Sequence, residues 1–248
     1  MTKGTHHLLL IWLIFTGLLV FALTISWQEG VIYTLFTSDK SNISYAIVLL
    51  FLIISIHSCK RVIEISTQLN DVKIVESIIK NNQEIKLNMQ DDKIHVNGDM
   101  VLPDCVATNY IHDLLNRTQS QKEFDENNGI NTELIEVYES KLKGPHEIGW
   151  FSADVMIKMG LLGTIIGFIF MLGSVANITD FDVTTIQKIL THMSNGMGTA
   201  LYTTLAGLVC SILASAQYHV LDRSVDELIE VIKHLTQVYV MPRLRQHV

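Results

Sequence analysis

MGLLGTIIGFIFMLGSV (Met159–Val175) and GMGTALYTTLAGLVCSILA (Gly196–Ala214), joined by a short polar connection, are the two stretches whose reading decides the fold. On a helical wheel at about 100° per residue the second stretch divides in two. Gly196, Thr199, Ala200, Thr203, Thr204, Ala206, Gly207, Cys210, Ser211 and Ala214 fill one half, and Met197, Leu201, Tyr202, Leu205, Leu208, Val209, Ile212 and Leu213 fill the other. The first stretch divides in the same sense, with Gly160, Gly163, Thr164, Gly167 and Ser174 in a narrow stripe flanked by bulky apolar residues. Each helix therefore has a lipid-like side and a small, hydroxylated side. The pattern predicts two membrane spans, about 160–178 and 195–218.

The rest of the chain has a matching character. Of 248 residues, 48% are hydrophobic and only 17% charged, a composition too apolar for an ordinary soluble domain of this length. The formal net charge is -7 and no Lys/Arg cluster occurs, so a nucleic-acid partner is not expected. Cys59, Cys105 and Cys210 are far apart and suggest neither a disulfide framework nor a zinc site.

Leu8–Trp27 is a nearly uncharged run of about the 20 residues that cross a bilayer, and Ile43–Ser58 is a shorter one ending at Lys60 and Arg61. The first is read as a retained anchor, because SWQEG is a poor signal-peptide cleavage site. Residues 1–59 thus form a transmembrane hairpin. Lys3, Lys60, Arg61, Lys141, Lys143 and Arg223 fall on one side of a four-span arrangement and only Lys40 and Lys188 on the other, which places both termini in the cytoplasm.

Residues 60–150 are expected to form a cytoplasmic helical module. Apolar spacing through Ile65, Leu69, Val72, Val75 and Ile79 extends the second span; Asn97-Gly98 offers a turn; Pro103 can start a helix carrying Val106, Tyr110, Ile111, Leu114 and Leu115. A helix over 131–143 is expected to stop at Gly144-Pro145. Asp154 and Lys158, one turn apart, either pair at the bilayer edge or extend into water. The outer connection, from Ile178 to His192, exposes Asp180 and Asp182. Residues 223–248 carry Val225, Leu228, Ile232, Leu235 and Tyr239 at steps of three and four, a seam for packing on other cytoplasmic helices up to Pro242.

Chemically, the two spans of the opening stretch contain no Asp, Glu, His, Lys or Arg. Proton-relaying membrane proteins keep such groups at membrane depth. Here only hydroxyls are available: Thr164, Ser174, Thr199, Thr203, Thr204 and Ser211. A hydroxyl donates and accepts hydrogen bonds but carries no proton as charge near neutral pH, so if ions cross here the titrating group comes from a partner. Gly163 and Gly167 form a GxxxG pair, which by itself means close helix packing. The small half of the second helix is wider than one neighbour needs, which suits packing on one flank and lining of a central space on the other. His57, His192 and His219 are isolated near span ends and read as interfacial, so an enzyme site is not expected.

GLLGTIIGF followed by GMGTALYTTLAGLV resembles the paired signature of the MotA/TolQ/ExbB family, over about Ile157–Tyr218. The resemblance implies a subunit of an ion-driven motor of the bacterial inner membrane, assembled as a homopentamer with the matched helices innermost. The ring would enclose a dimer of a single-span MotB/TolR/ExbD-like partner whose membrane aspartate supplies the missing acid. Thr164 and Thr204 then correspond to the family's pore-facing threonines, with Thr203 beside them on the ion pathway. Gly160, Gly163, Gly167, Gly196, Ala200, Gly207 and Ser211 pack the helices at the pore. Where TolQ/ExbB-type members place a glutamate this chain has Thr199, and where MotA-type members begin the first matched helix with proline it has Lys158-Met159. The leading hairpin resembles four-span flagellar stators and ZorA-like motors, and Thr203-Thr204 with Thr164 resembles sodium-driven stators such as PomA.

The resulting expectation is an all-α membrane protein with four spans and long cytoplasmic helical extensions. It would convert a proton- or sodium-motive force into mechanical work, by rotation if the resemblance extends that far, and without a bound cofactor. The alternative is an oligomeric membrane scaffold that conducts nothing.

Overall fold

The structure is a computed structural model that describes residues 7–81, 87–90, 93–96, 100–120, 129–173 and 183–242. Its elements in chain order are α1 (His7–Gln28), α2 (Val31–Ser38), α3 (Ile43–Asn81), β1 (Leu87–Gln90), β2 (Lys93–Val96), β3 (Met100–Val101), α4 (Val106–Ser120), α5 (Gly129–Gly173) and α6 (Val183–Leu235), closed by a π-helical turn, Thr236–Val240. Helices carry the fold. Three of them are long and apolar enough to cross a membrane, and the bent pair α1 and α2 makes a fourth if it counts as one span. Expected features at Lys3, Asn97-Gly98, Ser174–Ile178, Asp180, Asp182 and Glu126 lie outside the described residues.

The chain divides into two compact units, one holding Leu10–Lys60 with His146–Val220, the other Arg61–Pro145 with Leu221–Val248. α3, α5 and α6 each contribute to both.

In the first, apolar unit the connection between the leading runs is not simply polar coil. α1 breaks at Gly30, whose φ of 71° is the left-handed conformation a glycine adopts without strain, and α2 leaves at an angle of 71°. The turn into α3 is built around Asp39, which is buried. Its carboxylate accepts from the Ser41 backbone N–H at 2.8 Å, the Ser41 hydroxyl at 2.6 Å and the Ser44 N–H at 2.7 Å. These bonds satisfy donors that the start of α3 would otherwise leave orphaned. Burial acts against the Asp39 charge, but the bonds from Ser41 and Ser44 outweigh it and hold the carboxyl below its ordinary value. α3 then buries Ile47, Phe51, Ile54 and Ser58 at steps of three and four, while Leu49, Leu52, Ile53 and Ile56 stay exposed on its opposite side.

In the second unit the same stripe continues through Val62, Ile65, Val72, Val75 and Ile79, with Leu69 half-buried. β1, β2 and β3 form a small antiparallel sheet in that order, an addition to the all-helical expectation. α4 starts just after Pro103, and Gln68 of α3 accepts the Val106 N–H at 2.9 Å, capping it from a neighbouring element. Tyr110, Ile111, Leu114 and Leu115 are buried as the spacing predicts. Tyr110 meets the ring of Tyr138 edge-on at 5.6 Å, and Tyr138 donates to Asp113 at 2.6 Å.

Two expectations are corrected here. α5 does not stop at Gly144-Pro145 but runs through Pro145 for 45 residues. Proline lacks the N–H that would bond the carbonyl of Lys141 and disturbs the turn before it. Arg61 of α3 supplies an outside donor to that turn, reaching the Leu142 carbonyl at 2.9 Å. The second correction concerns the outer connection, which is helical from Val183, so that α6 is a single helix of 53 residues. Further along α6, Val225, Leu228, Ile232 and Leu235 are buried as the seam predicts, but Val240 replaces Tyr239 as the next buried position. The π turn inserts one residue per turn and shifts the register by that amount.

Candidate ion-pathway site

The site lies in the apolar unit, where α5 and α6 cross on their small faces. At this crossing neighbouring backbones leave no room for side chains. A Cβ on Gly167 would sit 2.6 Å from the Ala200 nitrogen, one on Gly207 2.7 Å from the Met156 carbonyl oxygen, and one on Gly196 2.8 Å from the Gly167 carbonyl oxygen. A Cβ on Gly163 would collide with the Thr203 side chain, and one on Gly160 would lie 3.3 Å from the Cα atoms of Thr204 and Gly207. Gly160, Gly163, Gly167, Gly196, Ala200 and Gly207 therefore allow two backbones to approach directly, as small-residue membrane crossings do.

The three threonines differ in position. Thr203 is fully buried against Gly163, and its hydroxyl donates back to the Thr199 carbonyl at 2.9 Å. Thr164 and Thr204 are half-buried. Thr164 donates to the Leu161 carbonyl at 2.6 Å; Thr204 shares its hydrogen between the carbonyls of Ala200, at 3.0 Å, and Gly160, at 3.3 Å. In a regular helix the Gly160 carbonyl also accepts the Thr164 N–H, so the two threonines converge on one peptide group. Next to them the surface is bulky and bare: Leu161, Ile165, Phe168 and Leu172 on α5, and Leu201, Leu205, Leu208 and Ile212 on α6, are exposed.

The other flank of the small half of α6 carries Thr199, Ala206, Cys210 and Gln217, spaced by seven, four and seven residues and all buried. It is occupied from within the chain. Thr199 donates to the Ser38 carbonyl at 2.8 Å and accepts the Lys40 N–H at 3.3 Å, clasping the α2–α3 turn. Gln217 donates to Ser55 of α3 at 3.2 Å, and Tyr218 meets His57 at 2.8 Å. The width of the small half thus has a packing explanation: α5 covers one flank, and the α2–α3 turn and α3 meet the other. Ser211 is buried with this surface. His57, read as isolated from the sequence, is bonded, whereas His192 and His219 are exposed. Asp154 and Lys158 pair with each other on an exposed face.

Sequence reasoning missed the clasp on Thr199 and the His57–Tyr218 bond. The recurrence of polar residues at Thr199 and Gln217 along one line of an apolar helix was the available signal.

A sequence profile of the MotA/TolQ/ExbB proton channel family matches residues 107–234, just over half of the chain. The chain belongs to the MotA/TolQ/ExbB proton channel family. The match begins in α4 and so takes in much more than the glycine-threonine helices. Membership makes this MotA/TolQ/ExbB protein a multi-pass membrane subunit of an energy-transducing complex, from a family of channel subunits and not of enzymes. MotA/TolQ/ExbB proteins typically work with a MotB/TolR/ExbD-like subunit. Neither the curated proteins nor the solved structures gave a match to the chain.

Proposed function

We propose that the chain is the ring-forming, ion-conducting subunit of a motor of the bacterial inner membrane, with both termini in the cytoplasm. Five copies would surround a dimer of a single-span partner that brings an aspartate to the level of Thr164 and Thr204. The observation that carries this reading is the state of those two hydroxyls. Each donates its one hydrogen to its own helix backbone or to the crossing carbonyl, leaving oxygen lone pairs as the outward-facing function. Such a pair of oxygens accepts from a protonated carboxyl, or coordinates a cation, better than it serves an ionised carboxylate. The partner's acid would be held while loaded and released as it discharges. Each ion falling through about 100 mV delivers about 2.3 kcal/mol per charge, enough to exchange a few hydrogen bonds per step and move the ring around its core.

Residues 160–178 and 195–218 supply the inner spans in this reading, 1–59 the outer hairpin, and 60–150 with 223–248 the cytoplasmic part. Thr203 acts behind the pathway, spacing α5 from α6.

The test is Thr204→Val in the complex purified through this chain from its native membrane and reconstituted in vesicles. The expected result is an unchanged assembly mass with ion flux reduced at least about tenfold, the equivalent of one pKa unit of differential interaction. Undiminished flux overturns the role of Thr204; no flux from the unaltered complex with any ion favours a non-conducting scaffold.

A further inference from the structure

We propose that His57 and Tyr218 form a proton-binding site inside the apolar bundle, at the end where α3 reaches Lys60. This inference does not depend on the ion pathway at Thr164 and Thr204, which lies about 21 Å away along α6 at 1.5 Å per residue.

The ring of Tyr218 is fully buried. It is held on one side by Gly149, where any Cβ would strike the ring, and on another by His146, whose imidazole lies edge-on at 6.2 Å. This fixes the phenolic oxygen between two acceptors on α3: Nδ1 of His57 at 2.8 Å and the Ile54 carbonyl at 3.5 Å. The arrangement serves both charge states of the imidazole. With His57 neutral and its hydrogen on Nε2, Tyr218 donates to Nδ1. When a proton adds to Nδ1, one N–H bond forms, that N–H donates to the phenol oxygen, and the phenolic hydrogen turns to Ile54. Both Nδ1 and the phenolic hydrogen thus have a partner in either state.

Gln217 and Ser58 are buried beside the His57–Tyr218 pair, at 1% and 0% exposure, and Gln217 Oε1 and Ser58 Oγ have no hydrogen-bond partner among the described residues. Ser58 lies one turn beyond Ser55, which receives the Gln217 amide. The titratable and charged groups around His57 are Tyr218 on α6, His146 on α5 beyond the phenol ring, and Cys59, Lys60 and Arg61 on α3 itself. His219 on α6 and Glu147 and Asp154 on α5 are exposed. Among the described residues no group of three His, Cys, Asp or Glu side chains could hold a metal ion, and the ligand proposed here is a proton.

The experiment uses the full chain in detergent micelles, labelled with ¹⁵N in histidine and ¹³Cζ in tyrosine, titrated by NMR from pH 5 to 9. Tyr218 is assigned by the signal lost in Tyr218→Phe. The expected result is a single step in the Tyr218 Cζ shift that shares its midpoint with the His57 nitrogens, reporting the change from donor to acceptor; His57→Gln abolishes the Tyr218 step. A flat Tyr218 signal in the unaltered chain, or a step that survives His57→Gln, overturns the proposal. The readout involves no ion flux, so it fails or succeeds separately from the motor reading.

Discussion

Glycine at the α5/α6 crossing has consequences that differ sharply from one position to the next. Gly163 faces the Thr203 side chain, whereas a Cβ on Gly173 would meet nothing within 4 Å. Gly163→Ala should therefore destabilise the apolar unit by about 1–3 kcal/mol through overpacking, while Gly173→Ala is neutral or slightly stabilising. Thermal melting in one detergent compares them; equal melting temperatures would dispute the crossing. At Asp39 the effect is electrostatic. Its carboxyl is held below its ordinary value, so its contribution is complete above the unfolded value of about 3.9 and is lost as pH falls through the lower folded value. Asp39→Ala should cost about 1–2 kcal/mol at neutral pH and remove that part of the acid-side decline in melting temperature. The threonines show what a residue's type alone conveys. Thr164, Thr203 and Thr204 were recognisable as the polar inventory of the helices, but that Thr203 is buried while its neighbours reach the surface depends on where Gly163 lies.

Helices were legible wherever one chain segment contains its own reason. The division of α6 into small and bulky halves follows from its spacing, and so does the continuation of α3 far beyond the span. What was not legible depends on distant backbone. Thr199 bonds the Ser38 carbonyl and the Lys40 N–H, groups present in almost any sequence and separated from it by about 160 positions. Pro145 is the clearest element-scale case, because its local chemistry argues for a stop, yet the helix continues and the turn before it takes an added donor from Arg61 at the Leu142 carbonyl. Arg61→Met should keep the apolar stem while removing the donor, costing about 1–2 kcal/mol. Amide exchange should then quicken in the turn from Lys141 to His146 while the rest of α5 stays protected; uniform protection would show that the turn needs no outside donor. The three short strands escaped detection for a related reason, since their pairing is between segments and none carries a long alternating pattern.

At the scale of the molecule, the family was readable from two helices because their small residues are demanded by a backbone-to-backbone contact that tolerates little else. The number of copies, the ion and the driven process are not written in such a contact. In the proposed ring they would depend on surfaces shared between chains, above all the exposed apolar rows beside Thr164 and Thr204. Native mass spectrometry of the detergent-extracted protein should give a species of five 28.0 kDa chains, and a monomer under conditions that preserve other membrane assemblies would refute the ring. The crossing itself bears on how such a ring would behave under load. Side chains absorb a push by changing rotamer, but the atoms facing each other across Gly160, Gly167, Gly196 and Gly207 are mostly peptide backbone, which has no rotamers to change. The joint is mechanically stiff. In the proposed motor a displacement imposed at Thr164 would pass to α6 as movement of the whole helix pair instead of being lost to local repacking, so the glycines would set the fidelity with which chemistry at the threonines becomes motion.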